Sequence, residues 1–447
     1  MYICAKLTQI DMLTEFKVSN YRSIGEEQIL SLIPDKKKGD SSDNIISKGK
    51  HNALNAIAIY GSNASGKSNL LLSMSLLDKL IHLSARSSST TKLPYDPFLL
   101  RKGWEKLPTK FEVTFIINEV KYRYGLEFFQ DKVVSEWLYR KSVGREVYLF
   151  LRQEDIIDTS SAFKGNNKII DTAIEATRPN ALFLSTCDMF NIDEAKIIFQ
   201  WFKNFQMIDG LNTETINTVT LWDNKGYQKR INDYMTKLGL SLVEIDITTK
   251  DFDSSELPDI LNENERDKLI KRLSGSKSFT IYAKHKVYST EGKETDDFIS
   301  WKFEERESAG TNKAFHLSGP ILWTLSNGGV LIIDEIEAKL HPIMTIETIN
   351  LFLDKESNPN NAQLIFATHD TNLLSYSKLR RDQIYFSEKN NWESTEIYSL
   401  SDFVYIDNSK ERPDTDKEKR YFEGRYGAIP VLANFHSLNL VTDGKKR

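Results

Sequence analysis

The sequence predicts an α/β fold that has a mixed central sheet, an antiparallel β lobe and a mainly helical insertion. Apolar runs at 53–61, 330–334 and 362–368 are typical of buried strands in the centre of an α/β sheet. Alternation of apolar and charged residues over 111–150 favours an antiparallel meander with one solvated face. Residues 170–300 are expected to be mostly helical, with polar links.

The first half of the chain supplies strands and one long helix. Residues 12–33 read as two strands joined by a turn at 23–25, and 53–61 is a buried strand. Residues 67–85 have helical apolar spacing. The meander follows, with turns expected near Asn118, Asp131 and Gly144.

The second half is more varied. Residues 195–208 form the clearest amphipathic element of the helical part, and 262–275 predict a helix that ends at Gly275. Residues 278–290 and 296–310 resemble a strand pair that leads into a turn. We therefore divide the chain into the segments 12–150, 151–300, 301–400 and a charged 401–447.

Composition indicates a globular chain without a general affinity for nucleic acid. Of 447 residues, 40% are hydrophobic and 27% are charged, and the net charge is −4. Local basic grooves remain compatible with that total. The two cysteines, Cys4 and Cys187, lack a metal-ligand spacing and fit a reducing compartment.

Targeting signals are also missing from the pattern. No apolar run approaches the ~20 residues of a membrane span, and residues 1–11 lack a signal-peptide core. We expect a cytoplasmic protein without a membrane domain. The fold-like pattern begins at Met12, which is a candidate for the natural start.

A phosphate-binding loop is predicted between the buried strand and the helix that follows it. Residues 61–68 match G-x-x-x-x-G-K-[ST], in which glycines let successive N–H groups point at phosphates. Lys67 would reach the β and γ phosphates, and the Ser68 hydroxyl would bind Mg²⁺. The alternative is an ordinary glycine-rich turn. The candidate nucleotide-binding residues are Gly61, Ser62, Asn63, Ala64, Ser65, Gly66, Lys67, Ser68 and Asn69.

Two acidic residues at a strand end predict the hydrolytic half of the site. Asp334 and Glu335 follow the apolar run that begins at 330. Asp334 would hold the metal, and Glu335 would polarise the attacking water. Solvated acids often end strands, but the presence of a phosphate loop in the same chain favours catalysis.

A histidine and a short glycine motif complete the set. His369 follows a buried strand and could contact the γ phosphate or the attacking water, although a loop histidine with ordinary partners is the alternative. Ser308 and Gly310 open a predicted helix, where a serine caps and a glycine allows an anion to approach. A plain helix cap is the alternative there.

The order of these motifs resembles the ABC-type ATPase head that SMC, RecF and OLD-type proteins share. The resemblance implies ATP and Mg²⁺ as cofactors. It also implies a head-to-tail dimer with two composite sites, in which Ser308 and Gly310 face the nucleotide of the other subunit. In this reading Glu335, His369 and Lys67 are the catalytic residues.

Shorter motifs narrow the resemblance. The stretches FKVSNYRSI, YDPFLL, DEIEAKLHP, ATHD and GRYGAIP look like prokaryotic AAA_15/AAA_21-type ATPases. These are the RloA-like and AbiLii-like proteins of anti-phage and abortive-infection loci, including the ATPase component of PARIS systems. The resemblance implies a slow, regulatory ATPase that acts as a sensor or scaffold and responds to DNA or a phage protein.

One departure concerns the effector. OLD proteins carry a Toprim nuclease, whose Asp-x-Asp could correspond here only to Asp414 and Asp416, in a charged segment without strand pattern. We therefore expect a separate effector protein, such as a Toprim-type nuclease. Tyr21 and Arg22 are candidates for contacts with the base, and Arg22 is equally compatible with a surface turn. The preference for ATP over GTP is implied by the resemblance.

Two other functions stay open. A RecF-like DNA-repair ATPase would need a basic groove, for which residues 101–110 and 271–277 are the available basic stretches. A protein that binds nucleotide without hydrolysing it is disfavoured, because Lys67, Ser68, Asp334, Glu335 and His369 are all present, although no Q-loop glutamine is assigned.

Overall fold

The structure is a computed structural model that describes residues 11–35, 42–211, 216–257, 262–275, 277–376, 378–403, 412 and 415–430. The predictions that concern Met1, Cys4, Asp414 and most of the segment 401–447 lie outside these residues.

A mixed sheet forms the centre of the fold, as predicted. Its order in the described residues is β11-β15-β16-β5-β17-β18, in which neighbours are parallel except for the antiparallel pair β17–β18. The strands are β5 (Ala56–Tyr60), β11 (Phe205–Asp209), β15 (Val330–Asp334), β16 (Gln363–Ala367), β17 (Ile384–Lys389) and β18 (Thr395–Ser399).

An antiparallel sheet forms the lobe, which confirms the predicted meander. Its order is β10-β9-β8-β7-β6-β1-β2, so the predicted N-terminal strand pair also belongs to it. The strands are β1 (Met12–Ser19), β2 (Gln28–Ser31), β6 (Thr109–Ile117), β7 (Val120–Phe128), β8 (Val133–Lys141), β9 (Val147–Gln153) and β10 (Ile156–Thr159).

Two small antiparallel sheets complete the β structure of the described residues. The order β12-β13-β14 contains the strand pair predicted after residue 278, and β3 pairs with β4. The strands are β3 (Ile45–Lys48), β4 (His51–Leu54), β12 (Glu244–Asp251), β13 (Lys277–Tyr288) and β14 (Glu294–Lys302).

Helices cover both faces of the central sheet. The two helices predicted at 67–85 and 262–275 are confirmed. The α-helices are α1 (Lys67–Leu83), α2 (Asn167–Ala176), α3 (Phe183–Met189), α4 (Asp193–Phe202), α5 (Ile216–Val219), α6 (Lys225–Lys237), α7 (Glu263–Leu273), α8 (Phe303–Arg306), α9 (Ala309–Asn327), α10 (Pro342–Leu353), α11 (Asn372–Tyr376) and α12 (Lys417–Phe422).

The prediction of one amphipathic element over 195–208 is wrong in its second half. Helix α4 ends at Phe202, and the chain continues as strand β11, which pairs in parallel with β15. Trp201 stacks on Phe115 of the lobe at a ring-centroid distance of 4.3 Å, which fixes the end of the helix against the lobe. The segment 151–300 is thus less helical than predicted, because it gives one strand to the central sheet and three to a separate sheet.

The alternation of β5 divides the core into two clusters. Ile57 and Ile59 pack with the buried side of α1 and with the lobe. Ala56, Ala58 and Tyr60 pack on the opposite face, with residues from α9 and α10. Burial on both faces holds the strand rigidly, so the loop that follows Tyr60 has a fixed point of departure.

Candidate functional site

The site lies at one edge of the central sheet, where three neighbouring parallel strands end. Strands β15, β16 and β5 are adjacent in the sheet. Asp334 is the last residue of β15, and Glu335 follows it. His369 follows β16, and the loop 61–66 follows β5. Because the carboxyl ends of parallel strands meet at one edge, the fold brings these separated motifs together.

The phosphate loop has a preformed shape. Ala64 has φ +62° and Gly66 has φ +107°, both in the left-handed region. The hydroxyls of Ser387 and Thr395 donate to the Ser65 carbonyl at 3.1 and 2.9 Å. Strands β17 and β18 therefore hold the loop from behind, and Thr395 is a contact that sequence reasoning missed.

The close approach of Thr395 accounts for glycine at position 66. A β-carbon built on Gly66 would lie 1.9 Å from Oγ1 of Thr395. No side chain caps the N-terminus of α1, and its first turn contains no acidic residue. The start of α1 therefore has no side-chain cap and no carboxylate in its first turn, and its first residue is Lys67, which is an arrangement that suits a phosphate.

We expect Gly66→Ala to lose nucleotide binding and about 2 kcal/mol or more of stability, because an alanine there combines a left-handed backbone with a clash. Gly144→Ala is the matched control, since Gly144 has φ +77° and nothing within 4 Å of an added β-carbon. It should lose only about 1 kcal/mol. Thermal unfolding and nucleotide titration measure both effects. Wild-type affinity in Gly66→Ala would contradict the role of the loop.

Lys67 is folded back over the loop. Its Nζ donates to the carbonyls of Gly61 at 2.8 Å and Ser62 at 3.1 Å, and the residue is 5% exposed. Burial lowers the pKa of Lys67 to about 8, and the charges of Asp334 and two nearby glutamates oppose that shift. A phosphate would replace the neutral carbonyls with charged oxygens and favour the ammonium form.

The Asp334–Glu335 turn has the features of a strained functional segment. Oδ1 of Asp334 is buried and has no hydrogen-bond partner within the described residues. Glu335 adopts φ +50°, which is unusual for a residue other than glycine. Gly210, at the end of β11, donates its N–H to the Asp334 carbonyl at 2.8 Å. A β-carbon at Gly210 would lie 2.1 Å from that oxygen, so Gly210 is a second residue that sequence reasoning missed.

The residues predicted to bind a metal fit that role. The Ser68 hydroxyl lies on the exposed first turn of α1, and Asp334 offers the unpartnered carboxylate oxygen. Within the described residues, no group of three or more His, Cys, Asp and Glu side chains is placed to hold a metal ion.

His369 is held through its backbone. Its N–H donates to Oε1 of Glu337 at 2.6 Å, and Glu337 is another residue that sequence reasoning missed, although it stands within DEIE. Burial lowers the pKa of His369, and the charge of Lys67 lowers it further, against the effect of the nearby acids. The imidazole is therefore neutral near pH 7, and one ring nitrogen can accept a hydrogen bond.

Ser308 and Gly310 begin helix α9, as predicted. The Ser308 hydroxyl accepts a hydrogen bond from the Thr311 N–H at 3.0 Å, which is a helix cap. Gly310 packs against the Lys339 carbonyl, which would lie 2.8 Å from an added β-carbon. In the described part of the chain, no hydrogen bond joins either residue to the loop 61–68.

Tyr21 and Arg22 occupy a turn beside α1. Tyr21 is 4% exposed and packs edge-on against Phe111. Arg22 is an exposed turn residue with φ +50°, and its Nε donates to Asp96 at 3.0 Å. Both residues line a cavity of about 660 Å³ along α1. The structure thus shows Arg22 as a surface turn residue, and its contact with a base stays a prediction.

A phosphate loop at the edge of a mixed sheet, with an antiparallel lobe packed on one face, is the α/β arrangement predicted from the sequence for a P-loop ATPase head. The family AAA_21, described as "AAA domain, putative AbiEii toxin, Type IV TA system", matches residues 56–182 and 207–375. The chain belongs to this family, and it is an ATPase in that general sense.

Solved structures of SMC and RecF proteins are similar to the chain at low identity. The SMC head domain from Thermotoga maritima is 13% identical and has a TM-score of 0.37, over 87% of this chain and 98% of that one. An Smc head with an extended coiled coil, bound to the C-terminal domain of ScpA derived from Pyrococcus furiosus, is 14% identical with a TM-score of 0.39, over 87% and 96%.

The recombination mediator RecF with ATP is 14% identical with a TM-score of 0.34, over 81% of this chain and 94% of that one. The comparison with curated proteins found no match. No helix among the described residues is long and apolar enough to cross a membrane.

Proposed function

We propose that this chain binds and hydrolyses MgATP at a site shared between two copies. In this proposal it acts as the sensor or scaffold of an anti-phage defence complex. The observation that carries the proposal is the convergence of the loop 61–68, the Asp334–Glu335 turn and His369 at the ends of three adjacent strands. That set provides phosphate binding, a metal ligand, a base and a γ-phosphate contact.

The chemistry assigns a distinct task to each residue. Lys67 would leave the loop carbonyls for the β and γ phosphates. Ser68 and Asp334 would hold Mg²⁺, which would neutralise charge on the phosphates. Glu335 accepts a proton from the attacking water. Neutral His369 accepts a hydrogen bond at the γ-phosphate end of the site. The strained turn at Glu335 fixes the base in place before ATP arrives.

The proposal that the site is shared rests on the resemblance to ABC-type heads, and the exposed start of helix α9 supports it. Ser308 and Gly310 lie at an exposed helix start, and Gly310 presents no side chain to an approaching anion. A second copy in head-to-tail orientation would place this helix start against the triphosphate. ATP would then stabilise the dimer through charge-assisted hydrogen bonds, and hydrolysis would release it.

A mixing experiment tests the shared site. Ser308→Asp keeps a helix-capping residue and adds a negative charge that repels phosphate. Lys67→Ala and Ser308→Asp should each be inactive alone. Their equimolar mixture should regain about one quarter of wild-type turnover, because half of the dimers then contain one intact site of two. A mixture as inactive as its components would contradict a site shared between subunits.

The defence role rests on the family to which the chain belongs. Its description names a putative AbiEii toxin of a type IV toxin–antitoxin system. We propose that the ATP-bound oligomer restrains a separate effector, such as a Toprim-type nuclease, until DNA or a phage protein changes the nucleotide state. Plaque counts on cells that carry the native locus, with and without a Glu335→Gln substitution, test this role.

A further inference from the structure

Lys313 is a buried lysine close to two parts of the proposed site, the Ser308–Gly310 helix start and the Asp334–Glu335 turn. It lies on helix α9, five positions after Ser308, and it is 1% exposed. Its ammonium donates a hydrogen bond to the Gly210 carbonyl. Burying a charge costs free energy unless it has strong partners, so a lysine at this depth requires an explanation.

Gly210, the hydrogen-bond partner of Lys313, contacts the Asp334–Glu335 turn. Gly210 follows β11, whose last residue is in register with Asp334 of β15. The Gly210 N–H donates to the Asp334 carbonyl, and an added β-carbon would lie 2.4 Å from the Glu335 carbonyl. One residue thus links the Lys313 ammonium to the backbone of both catalytic acids.

The charged residues around Lys313 also place it near the acidic end of the site. Burial lowers the pKa of Lys313 to about 8; the charges of Asp209, Glu337 and Glu335 oppose that shift, and Lys339 adds to it. The ammonium therefore lies within the electrostatic range of the acidic end of the site. Its helix begins with the motif that would face the nucleotide of the other copy.

We propose that Lys313 is a positioning residue that fixes the Asp334–Glu335 turn of its own chain through Gly210. This inference rests on the proposed function. It assigns a role in hydrolysis to a residue that touches neither nucleotide nor metal. Lys313 acts on the site whose phosphate loop belongs to its own chain. The start of its helix, in contrast, would face the nucleotide bound by the other copy.

Lys313→Met retains the length of the side chain and removes the ammonium. We expect kcat to fall about 10- to 100-fold, since small displacements of a catalytic group have effects of that size. The KM for ATP should stay within about twofold, because the loop 61–68 is intact. Ser318→Ala is the control for a lost polar contact, since Ser318 is fully buried on the same helix and donates to the Phe315 carbonyl. It should leave kcat unchanged.

The mixed dimer separates positioning from general damage to helix α9. Its intact site combines the loop and acids of the Ser308→Asp chain with the helix start of the Lys67→Ala chain. Lys313→Met should lower the recovered turnover about 10- to 100-fold when it is placed on the Ser308→Asp chain. Placed on the Lys67→Ala chain, it should leave the recovered turnover unchanged. The inference would be overturned if Lys313→Met lowered the recovered turnover when placed on the Lys67→Ala chain, or if it lowered it equally on either chain.

The controls distinguish failure of the inference about Lys313 from failure of the proposed function. An inactive parent mixture would refute the shared site only, and the kcat and KM of Lys313→Met alone would then decide the inference. An unchanged kcat, or an equal loss in Ser318→Ala, would overturn it. Absence of turnover in the wild-type chain would defeat the proposed function together with the inference.

Discussion

Replacing Glu335 with glutamine should stop phosphate release while ATP remains bound and the oligomer remains assembled. Glutamine has nearly the same shape as glutamate but cannot take a proton from water, so the base is lost and the binding contacts stay. We expect kcat to fall by about 10²- to 10⁴-fold, the usual contribution of a general base. Single-turnover hydrolysis and size-exclusion chromatography with ATP measure the two parts of this result.

The backbone at Glu335 supports the interpretation of that experiment. Its φ of +50° is imposed by the surrounding fold, and glutamine tolerates it no worse than glutamate does. Glu356→Gln, on an exposed surface, removes one carboxylate elsewhere and should leave turnover unchanged. Unchanged turnover in Glu335→Gln would refute Glu335 as the base. Dissociation of the variant oligomer in ATP would refute ATP as its bridge.

Lys67→Ala should abolish measurable ATP binding. The ammonium would provide about two charge-assisted hydrogen bonds to phosphate, worth about 1.5–3 kcal/mol each. Their loss lowers affinity by at least about 100-fold. Isothermal titration calorimetry and the shift of Tm by ATP both report this loss. Tight binding by the variant would remove the phosphate-loop assignment.

The stability of the nucleotide-free variant makes this test selective. Burial already disfavours the charged form of Lys67, as its lowered pKa shows. Removing the side chain therefore relieves a buried charge while it removes two hydrogen bonds, and the two effects oppose each other. We expect Tm without ATP to change little. Lys196→Ala, an exposed lysine on α4, is the control and should keep both Tm and ATP affinity.

The structure confirms the strands and the helix that the sequence predicted around the candidate site, where the pattern is local. The phosphate loop requires a fixed spacing of glycines and lysine between a strand and a helix, and these residues are neighbours in the chain. Asp334 and His369 were located by the apolar strands that precede them. Each of these assignments depends on fewer than about ten consecutive residues, over which pattern and spacing are informative.

Prediction from sequence failed for contacts between residues that are far apart in the chain. Thr395 contacts a loop more than 300 positions earlier, and Gly210 meets Asp334 from a strand read as part of a helix. The run FQMID has no alternation that distinguishes a buried strand from a helix, so only pairing with β15 decided its conformation.

The sequence alone predicted which residues are candidates to bind phosphate, hold a metal and activate water, because those abilities belong to side chains at fixed spacing. Only the tertiary structure decided that the residues meet at one sheet edge and that Lys313 is bonded to Gly210. Those contacts depend on strand order and on the packing of α9, to which residues distant in the chain contribute together. The physical reason is that local spacing sets chemical type, whereas the position of a buried charge is set by everything packed around it.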